Sequence, residues 1–134
     1  MLITRESDYA VRIVRALSGG ELRTIQEICD EEKLPKQFAY KILKKLSDAD
    51  LVEIKRGTSG GCRLKKPLEQ INLLMIMQAT DENFLLGPCL QHAYGCAYRE
   101  SCGHCSVHQE LHRVQEVLEQ ELSRYTMQEL LNRS

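Results

Sequence analysis

The stretch that decides the fold runs from residue 34 to residue 66 and reads LPKQFAYKILKKLSDADLVEIKRGTSGGCRLKK. Its first half has apolar residues at helical spacing: Phe38, Ile42, Leu46 and Ala49, supported by Leu43. This spacing predicts an amphipathic helix, with Pro35 in a first-turn position where its missing N–H costs no hydrogen bond. Its second half alternates apolar and polar residues, which predicts strands at Leu51–Lys55 and Cys62–Lys66 around the glycine-bearing turn Arg56–Gly61.

A shorter helix is predicted just before this stretch. Thr24-Ile-Gln-Glu27 is a capping-box signature, because the hydroxyl can accept from the third backbone N–H while the glutamate reaches back. A short helix, a tight turn, a helix with a basic side and a hairpin together make a winged helix-turn-helix. With an opening helix at Thr4–Leu17 and a packed apolar run at Leu73–Met77, the sequence predicts a mainly α fold with a small β-hairpin wing. We assign residues 1–80 to this domain.

The candidate DNA contacts lie on the polar side of the second helix and in the wing. We expect Gln37, Tyr40 and Lys41 near base edges, because amide, phenol and ammonium groups can hydrogen-bond there. Other candidates are expected on phosphates, in the minor groove or at the tip of the wing: Lys36, Lys44, Lys45, Arg56, Thr58 and Ser59. The alternative is a solvated charged face, which describes most lysine-rich helix surfaces.

Charge is unevenly distributed along the chain. Residues 1–66 carry 14 Lys and Arg against 10 Asp and Glu, whereas residues 67–134 carry 4 against 9. The basic residues are densest in residues 33–66, with 10 basic and 3 acidic side chains. A basic half of this kind points to a polyanionic partner, which agrees with double-stranded DNA.

Four of the six cysteines stand within seventeen positions, at Cys89, Cys96, Cys102 and Cys105. Thiolates so closely spaced favour iron–sulfur, zinc or copper(I) centres. Structural zinc usually takes two close cysteine pairs and only the last two form one, so the spacing favours iron and sulfide. The alternatives are thiols buried for packing and disulfides; disulfides would suit a secreted chain, but the charged N-terminus does not look like a signal peptide. Cys29 is interpreted as a core residue and Cys62 as a strand residue.

A long amphipathic helix is predicted after this cysteine-rich loop, which we place at residues 81–105. Its apolar stripe recurs at steps of four, three, four and four: Val107, Leu111, Val114, Leu118 and Leu122. Pairing with the same helix of a second subunit would cover this stripe and give a two-fold dimer. Residues 106–134 are therefore assigned to a dimerisation helix and a short final helix that begins at the capping box Thr126-Met-Gln-Glu129.

The longest uncharged apolar run, Ile71–Thr80, is too short to cross a bilayer. We therefore expect no membrane association and a cytoplasmic location, where thiols stay reduced and available to metal.

Four segments in a fixed order carry a resemblance to a known family: the first helix with Asp8-Tyr9-Ala10, the wing Arg56–Gly61, the three cysteines Cys89, Cys96 and Cys102, and Tyr125–Leu130. With these segments the chain resembles the IscR/NsrR/RirA group of bacterial winged-helix regulators over nearly its whole length. The resemblance implies a homodimer that binds operator DNA and holds a 2Fe-2S or 4Fe-4S cluster through those three cysteines.

Two positions depart from these relatives. IscR-like members have a histidine three residues after the third cysteine, where this chain has Cys105, and NsrR-like members use an aspartate of the other subunit, which Asp8 matches. We rank Cys105 ahead of Asp8 as fourth ligand because thiolate binds iron more strongly than a single carboxylate oxygen. Tyr40 stands where IscR-like members have a glutamate, so we expect a different operator preference.

The sequence therefore predicts a transcriptional regulator that senses iron, redox state or nitric oxide through its cluster. The alternative is a cluster-free or zinc-stabilised winged-helix repressor that responds to a metabolite or a partner protein. A redox enzyme using Cys102 and Cys105 as a dithiol is disfavoured, because the strand–helix alternation of thioredoxin-like folds is missing.

Overall fold

A computed structural model describes residues 3–81 and 83–133 of the chain. Within them, seven α-helices and one small β-hairpin follow in this order: α1 Arg5–Ala16, α2 Ile25–Glu32, α3 Lys36–Asp48, β1 Val52–Lys55, β2 Gly61–Leu64, α4 Leu73–Thr80, α5 Ala97–Cys102, α6 Ser106–Leu122 and α7 Met127–Leu131. Short 3-10 turns occur at Leu68–Gln70 and Pro88–Leu90. The predicted mainly α fold with a hairpin wing is confirmed. No helix in the described ranges combines the length and apolar character needed to cross a bilayer.

We call the winged helix-turn-helix part of the chain, up to Thr80, the head. Helices α1, α3 and α4 contribute much of its core. Thr4 caps α1, since its side chain accepts from the backbone N–H of Ser7 at 3.1 Å. The predicted α1 stripe is fully buried: Ala10, Ile13, Val14 and Leu17. These side chains meet the buried face of α3 and Ile76 of α4 in one aliphatic cluster. Burial of such side chains stabilises the head by about 1.5–3 kcal/mol each.

Thr24 caps α2 as predicted, because its hydroxyl accepts from the backbone N–H of Glu27 at 3.2 Å, and α2 ends at Lys33 in a left-handed conformation with φ 58°. The predicted return bond of the capping box is replaced by an ion pair between the Glu27 carboxylate and Arg23 at 3.5 Å. Pro35 lies at the cap of α3, one position before the first turn. Phe38, on the predicted apolar side of this helix, is not buried: Ala39 takes the core position, and Phe38 stays 40% exposed in an edge-to-face arrangement with Tyr9, the ring centroids 5.8 Å apart.

The wing is a two-stranded antiparallel hairpin, and its strand β2 also pairs with Arg23 in the segment between α1 and α2. Val52 pairs with Leu64 and Ile54 with Cys62. Arg23 forms an additional antiparallel bridge to Cys62, with N···O distances of 2.9 and 2.8 Å. Gly60 and Gly61 allow the backbone segments here to lie close together. A Cβ at Gly60 would lie 2.3 Å from the Lys55 carbonyl oxygen, and a Cβ at Gly61 would lie 2.5 Å from the Arg23 carbonyl oxygen.

The C-terminal helix α7 returns to the head. Met127 is buried in the main core, and its backbone N–H donates to the Ile71 carbonyl at 2.7 Å. Thr126 forms an antiparallel bridge with Asn72 and closes the predicted capping box with Glu129. Helix α6 therefore spans from the cysteine-rich loop at its start to the winged head at its end.

Candidate nucleic-acid interface and metal centre

A groove of about 870 Å³ lies between α3, the first turn of α2 and the wing. Lys36 and Lys44 line it from α3, and Lys55 and Arg56 line it from the wing. Apolar and aromatic side chains line it as well: Ile25, Tyr40, Leu43 and Ile54. A concave surface with four cations and exposed apolar groups suits a nucleic-acid backbone and the bases beside it.

The structure brings four of the predicted DNA contacts together in this groove: Lys36, Tyr40, Lys44 and Arg56. Gln37 is exposed on α3, and Thr58 and Ser59 are exposed in the turn of the wing. Other polar residues line the groove without having been predicted as DNA contacts, among them Lys55, Thr24, Gln26 and the acidic Asp48. Lys55 could have been found from its place beside Arg56, whereas Thr24 and Gln26 reach the groove only because α2 packs beside α3.

Lys41 and Lys45 face a different part of the head. Both donate to the carboxylate of Glu6 on α1, Lys41 at 2.7 Å and Lys45 at 2.6 Å. Lys45 also donates to the carbonyl oxygen of Thr80 at 3.1 Å. Hydrogen bonds from Lys41 and then Lys45 hold the pKa of Glu6 below its ordinary value. The positive charge of these two lysines is thus partly neutralised within the chain.

The six cysteines fall into two groups by burial. Cys29 is a core residue and Cys62 a strand residue, as predicted; both are buried, and burial raises the pKa of both thiols, that of Cys62 to about 11. Such thiols stay protonated near neutral pH and are poor metal ligands. Cys89, Cys96 and Cys105 are partly exposed and Cys102 is exposed. The four cysteines singled out by spacing are therefore also the four that solvent reaches.

The first part of the cysteine-rich loop is fastened to α6 by one buried amide. The Gln115 side chain donates to the Phe84 carbonyl at 2.9 Å and accepts from the Leu86 N–H at 2.9 Å. Next along the chain, a Cβ on Gly87 would lie 3.7 Å from Leu111 Cδ1 and 3.9 Å from Cys89 Sγ. Because Leu111 is one turn before Gln115, the loop runs antiparallel to α6 and brings Cys89 towards its N-terminal half.

The second part of the loop meets the start of α6. Cys105 is the cap of this helix, and its Sγ accepts from the His108 backbone N–H at 3.4 Å. The Arg99 guanidinium lies 2.8 Å from His108 Nε2 and also contacts the Tyr94 carbonyl oxygen. His104 contacts Gln109 at 3.2 Å. The first part of the loop thus contacts the middle of α6 at Leu111 and Gln115, and the second part contacts its first turn.

The donor set fits an iron–sulfur centre, although the structure does not gather it. Within residues 3–81 and 83–133, no three His, Cys, Asp or Glu side chains form a group that could hold a metal ion. However, none of residues 87–105 is buried, so bringing the four thiols together would expose no core. Asp8, the other predicted ligand, is exposed on α1 and forms an ion pair with Arg12 at 3.2 Å.

The apolar stripe of α6 divides between two faces. Leu111, Leu118 and Leu122 are partly covered by their own chain, whereas Val107 is 66% exposed and Val114 37%. Val117, which lies outside the predicted stripe, joins this open face at 46% exposure. The position facing the core most fully is Gln115, a polar residue whose burial depends on its bonds to the loop backbone.

One protein-family model covers nearly the whole of the chain. This model, described as "Rrf2: Iron-dependent Transcriptional regulator", matches residues 3–133. The chain belongs to the Rrf2 family. Rrf2 proteins are transcriptional regulators and not enzymes, so this chain is a transcriptional regulator. The predicted resemblance to the IscR/NsrR/RirA group is confirmed.

Relatives of this Rrf2 protein include two curated sequences and a solved structure. Protein aau3 of Rhizobium meliloti is 35% identical over 77% of this chain and 69% of its own length. The HTH-type transcriptional regulator NsrR of Bacillus licheniformis is 29% identical over 98% and 92%. The structure titled CymR, the global cysteine regulator of B. subtilis, superposes with a TM-score of 0.71 at 18% identity, covering 98% and 97%. The last similarity shows the shared fold alone.

Proposed function

We propose that this Rrf2 protein is a homodimer that binds operator DNA and senses iron, redox state or nitric oxide through an iron–sulfur cluster. The observation that carries the proposal is the division of the cysteines: two are buried in the head, and four are accessible in a loop that rests on α6. Iron–sulfur clusters take thiolate ligands, and accessible thiols outside the core can ionise and move. The NsrR relative is named as a transcriptional regulator, which supports the DNA-binding half.

The proposed ligands are Cys89, Cys96 and Cys102, with Cys105 as the fourth. Cys105 is a cap residue of α6, where a backbone N–H already points at its sulfur, and negative charge is favoured at this end of a helix. Asp8 would have to leave Arg12 and come from the partner subunit. When bound, a cluster would tie the four ligands to one rigid centre. Oxidants or nitric oxide can break these bonds.

Cys105→Ala is expected to lower the iron content sharply and to change the visible spectrum, whereas Asp8→Ala leaves both close to wild type. The physical reason is that loss of a thiolate opens a coordination position that no neighbouring sulfur in the proposed set can fill. Iron and sulfide analysis with an anaerobic visible spectrum measures both effects. The reverse ranking, with Asp8→Ala the more damaging change, would make Asp8 the fourth ligand.

In the proposed dimer, the grooves of the two subunits would bind one DNA duplex together. Two winged heads related by two-fold symmetry can place α3 in successive major grooves, roughly 34 Å apart. The groove between α3 and the wing would then hold a phosphate backbone, with Lys36, Lys44 and Lys55 on phosphates and Arg56 reaching the minor groove. The N-terminus of α2 adds favourable backbone N–H groups at the same groove.

Cluster binding would act on DNA through α6. Residues 87–105 of the loop include no buried residue, so four bonds to a cluster would order this part against the N-terminal half of α6. The far end of α6 leads into α7, which is packed in the head through Met127. Operator affinity measured by fluorescence anisotropy with reconstituted and with iron-free protein tests the proposal, and equal affinities would remove the sensor function.

Replacing Lys44 or Lys55 with alanine is expected to weaken binding to different duplexes by similar factors and to reduce the salt slope of log K by about 0.9 for each lost phosphate contact. Titrations at several salt concentrations measure this slope. Arg113→Ala is the matched control, because Arg113 is exposed on α6 and pairs only with Glu110 among the described residues. An unchanged slope for both groove variants would place the DNA elsewhere.

A second candidate function is a regulator without a cluster that responds to a metabolite or a partner protein. It is favoured by the arrangement of the loop cysteines, which form no group that could hold a metal ion within residues 3–81 and 83–133. The two candidates differ in colour, because protein with an iron–sulfur cluster is brown when purified anaerobically. A cytoplasmic location remains a proposal under either function.

A further inference from the structure

The C-terminal ends of α3 and α4 are held together across a gap. A groove of about 470 Å³ separates them, lined by Lys45, Asp48 and Ala49 of the α3 end and by residues 78–81 of the α4 end. The Lys45 ammonium crosses this gap and donates to the Thr80 carbonyl at 3.1 Å. Thr80 is the last residue of α4, so its carbonyl has no partner within the helix and is available to a cation.

Thr80 is a fixed point of the head. Its hydroxyl lies 2.8 Å from the Ser7 hydroxyl on α1, and it also donates to the Met77 carbonyl at 3.1 Å. Both hydroxyl side chains are buried. Glu6, on the same helix as Ser7, fixes Lys45 from the other side at 2.6 Å. Helices α1, α3 and α4 thus meet at one polar junction, which we call the Lys45 junction and define as Glu6, Ser7, Lys45 and Thr80.

The Lys45 junction also lies directly before the cysteine-rich loop, which begins at the residue after Thr80 and is anchored near its start. Only residues 81–83 separate Thr80 from Phe84, whose carbonyl is held by Gln115 of α6. A chain extends by at most roughly 3.6 Å per residue, so the chain keeps the Phe84 Cα within about 14 Å of the Thr80 Cα. We expect a displacement of Phe84 along α6 to reach Thr80 through this short segment, and the hydrogen bond from Lys45 to the Thr80 carbonyl links that point to α3.

We propose that Lys45 is a positioning residue that couples the loop root on α6 to the recognition helix, rather than a DNA contact. Its ammonium has two partners inside the head and its side chain is 35% exposed, whereas the neighbouring Lys44 is 78% exposed and lines the groove. The placement of the loop on α6 then sets the placement of α3 on DNA. This proposal rests on the proposed function in one respect only, that the ligand is duplex DNA.

The test is a double-mutant cycle on iron-free protein. The probe is a duplex enriched from a random-sequence pool by the wild-type protein. Gln115→Met keeps the side-chain volume and removes both hydrogen bonds to the loop, and we expect it to weaken DNA binding about fivefold, within the range of couplings carried by such networks. In the Lys45→Met background, the same change is expected to alter affinity by less than about twofold.

Lys44→Met is the matched control, because it removes a lysine from the same turn of α3 without touching the Lys45 junction. The fivefold effect of Gln115→Met is expected to persist in this background. An effect of Gln115→Met that is equal in the Lys45→Met and wild-type backgrounds overturns the proposal, as does the lack of any effect in the wild type. A wild-type protein that enriches no duplex contradicts the proposed function and leaves Lys45 nothing to position.

Hydrogen exchange gives a second measurement that needs no change at Gln115, should that variant fold poorly. Coupling is reciprocal, so DNA binding at α3 must slow exchange at the Leu86 amide, which donates to Gln115. We expect this slowing in the wild type and its loss in Lys45→Met. Equal slowing in both proteins overturns the proposal. Neither assay depends on the iron content of the protein. Colourless protein would therefore contradict the proposed iron–sulfur cluster without changing the result for Lys45.

Discussion

Cys96→Ala is expected to yield colourless protein with background iron and sulfide after anaerobic purification, while the wild type is brown. Cys96 is proposed as one of three ligands that the loop must supply before any fourth ligand matters. Removing a partner in the outer shell of a metal costs 10–100-fold in affinity, so removing a direct ligand is expected to cost more than about 100-fold. Since residues 87–105 of the loop contribute no buried residue, the winged head is expected to keep its helical content.

Cys29→Ala is the control for this variant. Cys29 is buried beside the core of α2, and burial raises the pKa of its thiol. Its loss is expected to lower the free energy of unfolding modestly and to leave iron content unchanged. Visible spectra, metal analysis and circular dichroism of the two variants separate cluster loss from unfolding. If Cys29→Ala loses iron while Cys96→Ala retains it, the assignment of the cluster to the loop is wrong.

Val114→Glu is expected to convert the proposed dimer into monomers and to weaken operator binding by about 100-fold or more. Val114 lies at the centre of the open α6 face with Val107 on one side and Val117 on the other. Two-fold pairing would place a buried carboxylate near its symmetry mate, and an unpaired buried charge is strongly destabilising. A monomer also loses the gain of 10²–10⁴ that simultaneous contact with two half-sites provides.

Sedimentation and anisotropy measure the two effects of Val114→Glu on the same samples. Gln109→Glu is the matched control, because it adds one negative charge to an exposed position of the same helix away from the valines. The control is expected to remain dimeric and to bind the operator within about twofold of the wild type, since most surface changes are worth less than 0.5 kcal/mol. A dimeric Val114→Glu protein would move the subunit interface off this face.

Local signals explain how much of the fold the sequence predicts. Thr24, Asn72 and Thr126 each cap a helix as their capping patterns indicate, because the bonding partner lies three residues away. The glycines of the wing allow a close backbone approach that no other residue permits at Gly60 and Gly61. Short-range patterns of this kind need no knowledge of the tertiary structure.

The parts that the sequence could not predict depend on contacts between distant residues. Gln115 looks like an exposed residue of a polar helix, and only the loop 29 residues earlier in the chain makes it a buried clamp. Lys45 looks like any other lysine of a basic helix, but its partners come from α1 and α4. The docking of α7 through Met127 is likewise invisible in a five-residue helix, because its partner segment begins near Ile71.

The cysteine site shows a different limit. Spacing identifies the four accessible thiols correctly as a group distinct from Cys29 and Cys62. Their assembly around iron depends on bonds that the polypeptide alone does not make, so neither the helical pattern nor the packing of the loop determines it. The short helix α5, which contains Tyr98 and ends at Cys102, was not predicted either. Its six residues bury no side chain, so they carry no apolar pattern that would indicate a helix.

The central claim is that an iron–sulfur cluster in the loop controls how the head binds DNA. Its most direct test is purification of the wild-type protein under anaerobic conditions, followed by iron and sulfide analysis, a visible spectrum and operator titration of the same sample before and after iron removal. We predict brown protein with stoichiometric iron and sulfide whose operator affinity changes when iron is removed. Colourless, iron-free protein that binds its operator and regulates normally would contradict the account.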